Sequence, residues 1–179
     1  MSSIVISGDT SGAITLAAPA VSGTNTATLP AATGTVMVSG NMPAFRAYAS
    51  GGQSIANSSF TKITLNNETF DTNNNFDSTT NYRFTPTVAG YYQINGQVFF
   101  TGSALGYVQL SIYKNGTAYS YGSGTPNNTN IGGQVTISDV VYFNGSTDYV
   151  ELFGWQNSGG NLTTFTSGNY MSGFLARAA

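Results

Sequence analysis

Residues 82–100 read Tyr82-Arg-Phe-Thr-Pro-Thr-Val-Ala-Gly-Tyr-Tyr-Gln-Ile-Asn-Gly-Gln-Val-Phe-Phe100. Phe84 is followed by five residues, then Gly90, one residue, Tyr92, and an alternating apolar run. Two β-strands meet here across a tight corner. Pro86 has no backbone N–H to continue the first strand, and Gly90 tolerates backbone angles that side chains resist. The run after Gly90 is long enough to be the central strand of a sheet.

Working outward, strand signals separated by turn-formers continue on both sides. The sequence predicts strands at 44–49, 60–65, 81–85, 91–101, 107–114, 118–121, 133–143, 149–156 and 169–177. Asn115-Gly116 and Asn144-Gly145 read as hairpin turns, because both positions of the dipeptide accept positive φ. Asn95-Gly96 interrupts what reads as one strand, so a bulge or a close backbone approach is expected there instead. No stretch has a helical period. This pattern over 43–179 predicts an all-β antiparallel sandwich or jelly roll.

Residues 1–42 differ. They are rich in Ala, Thr, Gly, Ser and Val and hold no aromatic residue, Lys or Arg. Short β-like pieces recur at 4–6, 13–16, 26–29 and 35–38, and Thr15-Leu16 through Ala20 is loosely echoed by Thr28-Leu29 through Thr33. Small side chains cannot build a thick core, so the segment is either a loose tail or a β-rich piece covered by copies of itself or by another protein. The domain division expected is 1–42 and 43–179.

Composition excludes whole classes. The 179 residues carry 7% charged residues, against roughly 25% in typical proteins. Five Lys and Arg cannot neutralise a row of phosphates, so nucleic acid is excluded as a partner. No apolar run is long enough for a membrane span. The first residues lack the basic and apolar regions of a secretory signal, so either a signal has been removed or the chain is made in the cytoplasm and leaves by another route, and Met1 favours the second expectation. With neither Cys nor His, disulfides, thiolate chemistry, Ser–His–Asp triads and His/Cys zinc sites are impossible in this chain.

Several landmarks over 43–179 resemble the globular head of the complement q subcomponent, whose fold is shared with tumour necrosis factor. Pro43-Ala-Phe-Arg-Ala47 is similar to that family's opening strand. Phe70-Asp71, Phe76-Asp77, Phe84, Gly90, Tyr92 and Ile94 follow its central signature. Val108 through Gly116 is similar to its next hairpin, and Ser172-Gly-Phe-Leu175 to its closing strand. Two departures exist: the Phe76–Phe84 spacing is one residue longer than usual, and Ile94 and Gly96 replace aromatics. Residues 12–36 resemble a segment common in tailed-bacteriophage fibre and accessory virion proteins.

These resemblances imply a homotrimeric complement-like jelly-roll knob, with one sheet of each copy turned toward its neighbours. They also imply a bacteriophage virion protein (tail fibre, head fibre or capsid decoration) that binds a capsid or tail protein through residues 1–42 and is assembled in the host cytoplasm. Its expected work is adhesion to a host-surface glycan. The alternatives are a capsid decoration or cement trimer without a receptor role, and a secreted complement-type lectin. The crowded aromatics at 91–92, 98–100, 140–143 and 149–155 agree with a trimer, because exposed they would form a sticky patch that a closed ring removes.

Core and trimer packing is assigned to Phe84, Gly90, Tyr92, Phe99, Phe143 and Phe174, with Phe84, Tyr92, Phe143 and Phe174 as core anchors. Loops 122–130 and 157–164 are the exposed candidates for binding. Tyr119, Tyr121 and Trp155 would stack on sugar rings, with Asn157 and Asn161 supplying hydrogen bonds; the competing reading is a solvated loop tip.

Asp71 to Asp77 places oxygen side chains at alternate positions, as calcium loops do. Phe76 at the sixth position and Tyr82 at the twelfth rule out an EF-hand, leaving a looser calcium site as the one cofactor considered. Glu68, Asp71, Asp77, Asp139, Asp148 and Glu151 are the carboxylates available for paired-acid chemistry. Nothing in their spacing makes two of them converge, so no catalysis is expected.

Overall fold

Residues 90–101 form one uninterrupted strand whose side chains alternate strictly between buried and outward-facing. Tyr92, Ile94, Val98 and Phe100 are buried on one side, while Tyr91, Gln93, Asn95, Gln97 and Phe99 face out on the other. Period-two alternation of this kind is the sign of a strand with one face on a core. The remaining architecture is arranged around it.

The computed structural model describes residues 3–21, 23–28, 31, 33–34, 36–101, 106–122, 124, 126–127 and 133–179. The chain forms two compact units, Met1–Gly34 and Thr35–Ala179. The first contains an antiparallel hairpin of β1 (Ser3–Ser7) and β2 (Ala13–Ala17), with Ile4 opposite Leu16 and Ile6 opposite Ile14. All four of these aliphatic side chains are exposed. The further β-pieces expected at 26–29 and 35–38 do not form: 26–28 and 36–38 carry no strand, and Leu29 and Thr35 lie outside the described residues.

In the second unit a short 3-10 turn, Ser39–Asn41, precedes the strands. These are β3 (Ala44–Tyr48), β4 (Ser54–Ile55), β5 (Thr61–Lys62), β6 (Asn67–Asp71), β7 (Phe76–Asp77), β8 (Arg83–Phe84) and β9 (Gly90–Thr101). They continue with β10 (Gly106–Lys114), β11 (Thr117–Tyr121), β12 (Pro126–Asn127), β13 (Gly133–Phe143), β14 (Val150–Gln156), β15 (Leu162–Thr164) and β16 (Tyr170–Ala178).

They build two antiparallel sheets. One carries β13, β9, β16, β3 and β6 side by side, with β15 and β4 continuing beyond the end of β16. The other runs β11-β10-β14-β8-β7, with β5 on β14 and β12 on β10. This is the antiparallel jelly-roll sandwich expected from the sequence.

The core lies between the sheets and is aromatic at one end. Phe45 stacks on Phe84 with ring centroids 4.0 Å apart, and Phe76 stacks on Phe45 at 5.4 Å. Tyr92 and Phe143 meet Phe84 edge-on at 5.7 and 6.0 Å. The Tyr92 hydroxyl is satisfied by donating to the Val88 carbonyl oxygen at 2.8 Å, and burial pushes its pKa up to about 12. Val108, Leu110, Ile112, Val150 and Leu152 from the second sheet fill the rest.

Two glycines permit this packing. Gly90 has φ 157°, and a Cβ there would run into the Arg177 carbonyl oxygen and lie 2.7 Å from Leu175 Cδ1. Gly96 follows Asn95 without any break in register, and a Cβ there would come within 2.8 Å of Leu152 Cδ1. The dipeptide therefore marks a close approach of the opposite sheet.

Of three details of the sequence reading, one holds and two depart. Asn115-Gly116, with φ of 51° and 78°, does close the β10–β11 hairpin. Asn144-Gly145 does not close a hairpin: β13 pairs with β9 and β14 with β10, so this turn carries the chain between sheets. The Asn144 Oδ1 accepts from the backbone N–H groups of Ser146, Thr147 and Asp148, which fixes that crossing. Phe174, expected as a core anchor, is 49% exposed, because Met171, Gly173 and Leu175 occupy the inward phase of β16.

Gly90→Ala is expected to lower the unfolding free energy by about 2 kcal/mol, within the range for overpacked sites. Tyr92→Phe, which leaves the Val88 carbonyl without its donor, is expected to cost about 1 kcal/mol. Urea denaturation of the variants beside the wild type measures both.

Candidate functional site

The outward face of the β13-β9-β16-β3 sheet is organised in rows by the strand register. Tyr142, Tyr91 and Arg177 form the first row, and Val140, Gln93, Phe174 and Ala44 the second. Ser138, Asn95, Ser172 and Arg46 form the third, and Thr136, Gln97, Tyr170 and Tyr48 the fourth. The first two rows concentrate the apolar side chains. Tyr91, Val140, Tyr142 and Phe174 are each 40 to 49% exposed, and the Tyr91 and Tyr142 rings lie 5.4 Å apart.

The middle of the face is polar and internally bonded. Gln93 Nε2 donates to Ser138 Oγ at 2.8 Å, and Ser138 Oγ donates to Asn95 Oδ1 at 2.9 Å. Gln134 Nε2 donates to Gln97 Oε1 at 2.7 Å, and Gln97 Nε2 to the Gly168 carbonyl oxygen at 2.8 Å. Beyond this ladder Phe99 packs edge-on against the exposed Phe165 at 5.4 Å.

The outward face of the second sheet carries a different group. Ser111 is fully buried although it points away from the core. Around it stand Phe60, Tyr113, Tyr121, Phe153 and Trp155. Phe60 comes from the segment before β5 and lies 5.8 Å from Tyr113, 6.1 Å from Tyr121 and 6.3 Å from Trp155. Tyr113 stacks on Phe153 at 4.0 Å. Burial raises the Tyr113 pKa, with the neighbouring Tyr121 adding to the rise. Beside the rings Lys62 pairs with the buried Glu151 at 2.5 Å.

Of the residues expected to contact sugar, the structure brings Tyr121 and Trp155 together through Phe60. No ring contact joins Tyr119 to them among the described residues; it sits at the register shift of the edge strand β11. Asn157 uses its Oδ1 to accept from the Tyr107 N–H at 2.7 Å, and Asn161 is exposed in the same loop. Within the 122–130 loop, Ser123, Thr125 and 128–130 lie outside the described residues. Sequence reasoning missed Phe60 as the link, since a single aromatic before a strand looks like any strand-start residue.

The carboxylates serve the fold. Asp71 accepts from the N–H groups of Asn73 and Phe76, at 3.2 and 2.6 Å. Asp77 accepts from the N–H groups of Thr79, Thr80 and Asn81 and from the Asn81 side chain. The Thr80 N–H, with the other donors, outweighs desolvation and holds Asp77 far below the ordinary carboxylate range. Asp148 is likewise lowered, first by the Asn115 amide at 2.8 Å and then by Lys114 at 3.0 Å. Asp139 accepts from the Val140 N–H. The oxygens weighed for calcium are thus engaged with their own loop. Among the described residues, no three of His, Cys, Asp and Glu gather to hold a metal.

No protein-family profile matches the sequence, and no curated protein sequence matches it significantly. Solved structures do match in fold. The globular domain of zebrafish complement 1qA superposes with a TM-score of 0.57 at 18% identity, covering 76% of this chain and 99% of that one. The Eiger TNF of S. frugiperda gives 0.57 at 8% identity, covering 77% and 93%. The PRD1 vertex protein P5 gives 0.52 at 17% identity, covering 76% and 96%. The fold is therefore the jelly roll seen in these complement and tumour-necrosis-factor structures. No helix is long and apolar enough to cross a membrane among the described residues.

Asp77 and Asp148 set an acid limit. Their folded pKa values are depressed, so the stability they contribute is fully present above the ordinary value of 3.8 and is lost as pH falls through the folded values. Unfolding free energy is expected to be level from about pH 7 to 5 and to fall below about pH 4. Asp77→Asn is expected to flatten that fall, as measured by urea titrations at successive pH values.

Proposed function

We propose that this chain is a structural knob of a bacteriophage particle. It associates as a homotrimer through the outward face of β13, β9 and β16, and residues 1–42 mount it on a capsid or tail protein. The observation that carries the reading is the apolar band of Tyr91, Val140, Tyr142 and Phe174. These side chains are exposed in a single copy, on a face whose neighbouring polar groups are already bonded to one another. A contiguous exposed patch of this kind marks an interaction surface, and a closed ring of copies covers it without leaving an open end.

The virion setting draws support from the vertex protein among the like-folded structures and from the resemblance of residues 12–36 to virion segments. The β1–β2 hairpin fits a mounting role, because two strands with exposed aliphatics are not stable alone in water. The work proposed is structural decoration of the particle. A second reading, adhesion to a host-surface glycan, is favoured by the aromatic group around Phe60, whose rings offer stacking faces beside polar neighbours.

Sedimentation of the full chain at micromolar concentration is expected to give about three times the 18.7 kDa mass of one chain. Tyr91→Ser, Val140→Ser and Phe174→Ser combined are expected to shift it to a single copy while the β-sheet circular dichroism persists. A wild-type chain that runs as a well-folded single copy would overturn the reading. Particles lacking the protein separate the two roles: lost integrity with normal attachment supports decoration, and the reverse supports adhesion.

A further inference from the structure

The cations of this charge-poor chain are mostly accounted for. Lys62 pairs with Glu151 and Lys114 with Asp148, while Arg83 lies over the Tyr149 ring at 4.2 Å and Arg177 is exposed on the surface. Arg46 is different. It is half-buried on β3, sits over the Tyr170 ring at 4.7 Å, and donates through Nη1 to Thr69 Oγ1 at 2.9 Å. Among the described residues it meets no carboxylate. One hydrogen bond leaves most of a guanidinium's five N–H donors unused.

Arg46 opens onto a concavity of about 460 Å³, together with Tyr48, Ser50, Thr69, Thr166 and Ser167. The Thr166 and Ser167 hydroxyls have no protein partner among the described residues. The concavity shares this face with the apolar band but opens toward the other end: Arg46 stands opposite Ser172, one row beyond Phe174, and Tyr170 lies opposite Gln97, six positions along β9 from Tyr91.

We propose that this concavity binds a carboxylate-bearing pyranose of the uronic or sialic acid type. Arg46 takes the carboxylate, because the guanidinium fork matches two carboxylate oxygens and Tyr170 holds its plane in place. The Thr166 and Ser167 hydroxyls meet ring hydroxyls, and Tyr48 provides an apolar wall. The volume falls within the roughly 300–1,000 Å³ of small-molecule sites. A lone acidic side chain would leave most of that space and its hydroxyl lining unused, which favours a polyhydroxylated ligand over a carboxylate from another protein. The proposal goes beyond the adhesive reading, which rests on the aromatic group of the other sheet, and does not depend on the homotrimer, whose formation sedimentation reports separately.

Saturation-transfer NMR on the full chain, with glucuronate, N-acetylneuraminate, glucose and acetate as probes, tests it. At least one acidic sugar is expected to bind saturably, with glucose and acetate each at least tenfold weaker. Arg46→Gln is expected to weaken that binding at least tenfold without changing the sedimenting mass. Ser167→Phe, which fills the concavity from its exposed loop and leaves the Arg46 contacts alone, is expected to do the same. The proposal fails if neither acidic sugar binds saturably, if glucose or acetate binds as well, or if Ser167→Phe retains binding. It also fails if Arg46→Gln lowers the sedimenting mass, since Arg46 would then be meeting a carboxylate of a second copy.

Discussion

Strict alternation along β9 is the constraint on which the rest of this structure depends. One phase of the strand, Tyr92 to Phe100, places its side chains between the sheets, where Phe45, Phe84 and Phe143 complete the packing. The other phase, Tyr91 to Phe99, defines the outward face. A slip of one residue would exchange the two sets. Two features hold the register. Gly90 admits the close backbone of β16 at one end, and Asn169 pins the other by accepting from the Phe99 N–H and donating to the Phe165 carbonyl oxygen.

Scarcity of charge shapes how the surface is stabilised. Two ion pairs are present among the described residues, and both brace β14 or the turn that leads into it. Elsewhere amide and hydroxyl side chains take over. The buried Gln156 donates to the Ile55 and Gly160 carbonyl oxygens and accepts from Ser158, tying three segments together at the end of β14. The Asx-type caps at Asp77 and Asn144 play the same part in loops. Such bonds are insensitive to salt, in keeping with a surface that does not rely on ion pairs.

Much of the fold was legible because its signals are local. Phe84, Gly90 and Tyr92 sit at fixed spacing around a corner, and the structure places them at the aromatic end of the core. The long strands β9, β10, β13 and β14 carry enough alternating apolar residues to be read with bounds close to those observed. The short strands β6 and β7 were not read, since Asn67–Asp71 and Phe76–Asp77 are polar or too brief for a period. Phe174 was assigned to the wrong phase because an aromatic reads as core in any sequence. Only Gly173, pressed against Ile94 and Phe45, reveals which phase faces inward. The candidate sites were less legible. Tyr121 and Trp155 could be named, but Phe60 joins them from over fifty residues away in the chain, and the concavity at Arg46 is assembled from β3, β6 and the loop before β16.

The account stands on the claim that sister copies cover the apolar band beside β9. The chain has no cysteine, so single introduced thiols report on accessibility without background. Val140→Cys in the band and Thr117→Cys on the edge strand β11 would be reacted with a maleimide at micromolar chain concentration. The account predicts that the thiol at 140 reacts at least tenfold more slowly than that at 117 and speeds up on dilution. Equal rates at every concentration would show that nothing covers the band, and would contradict it.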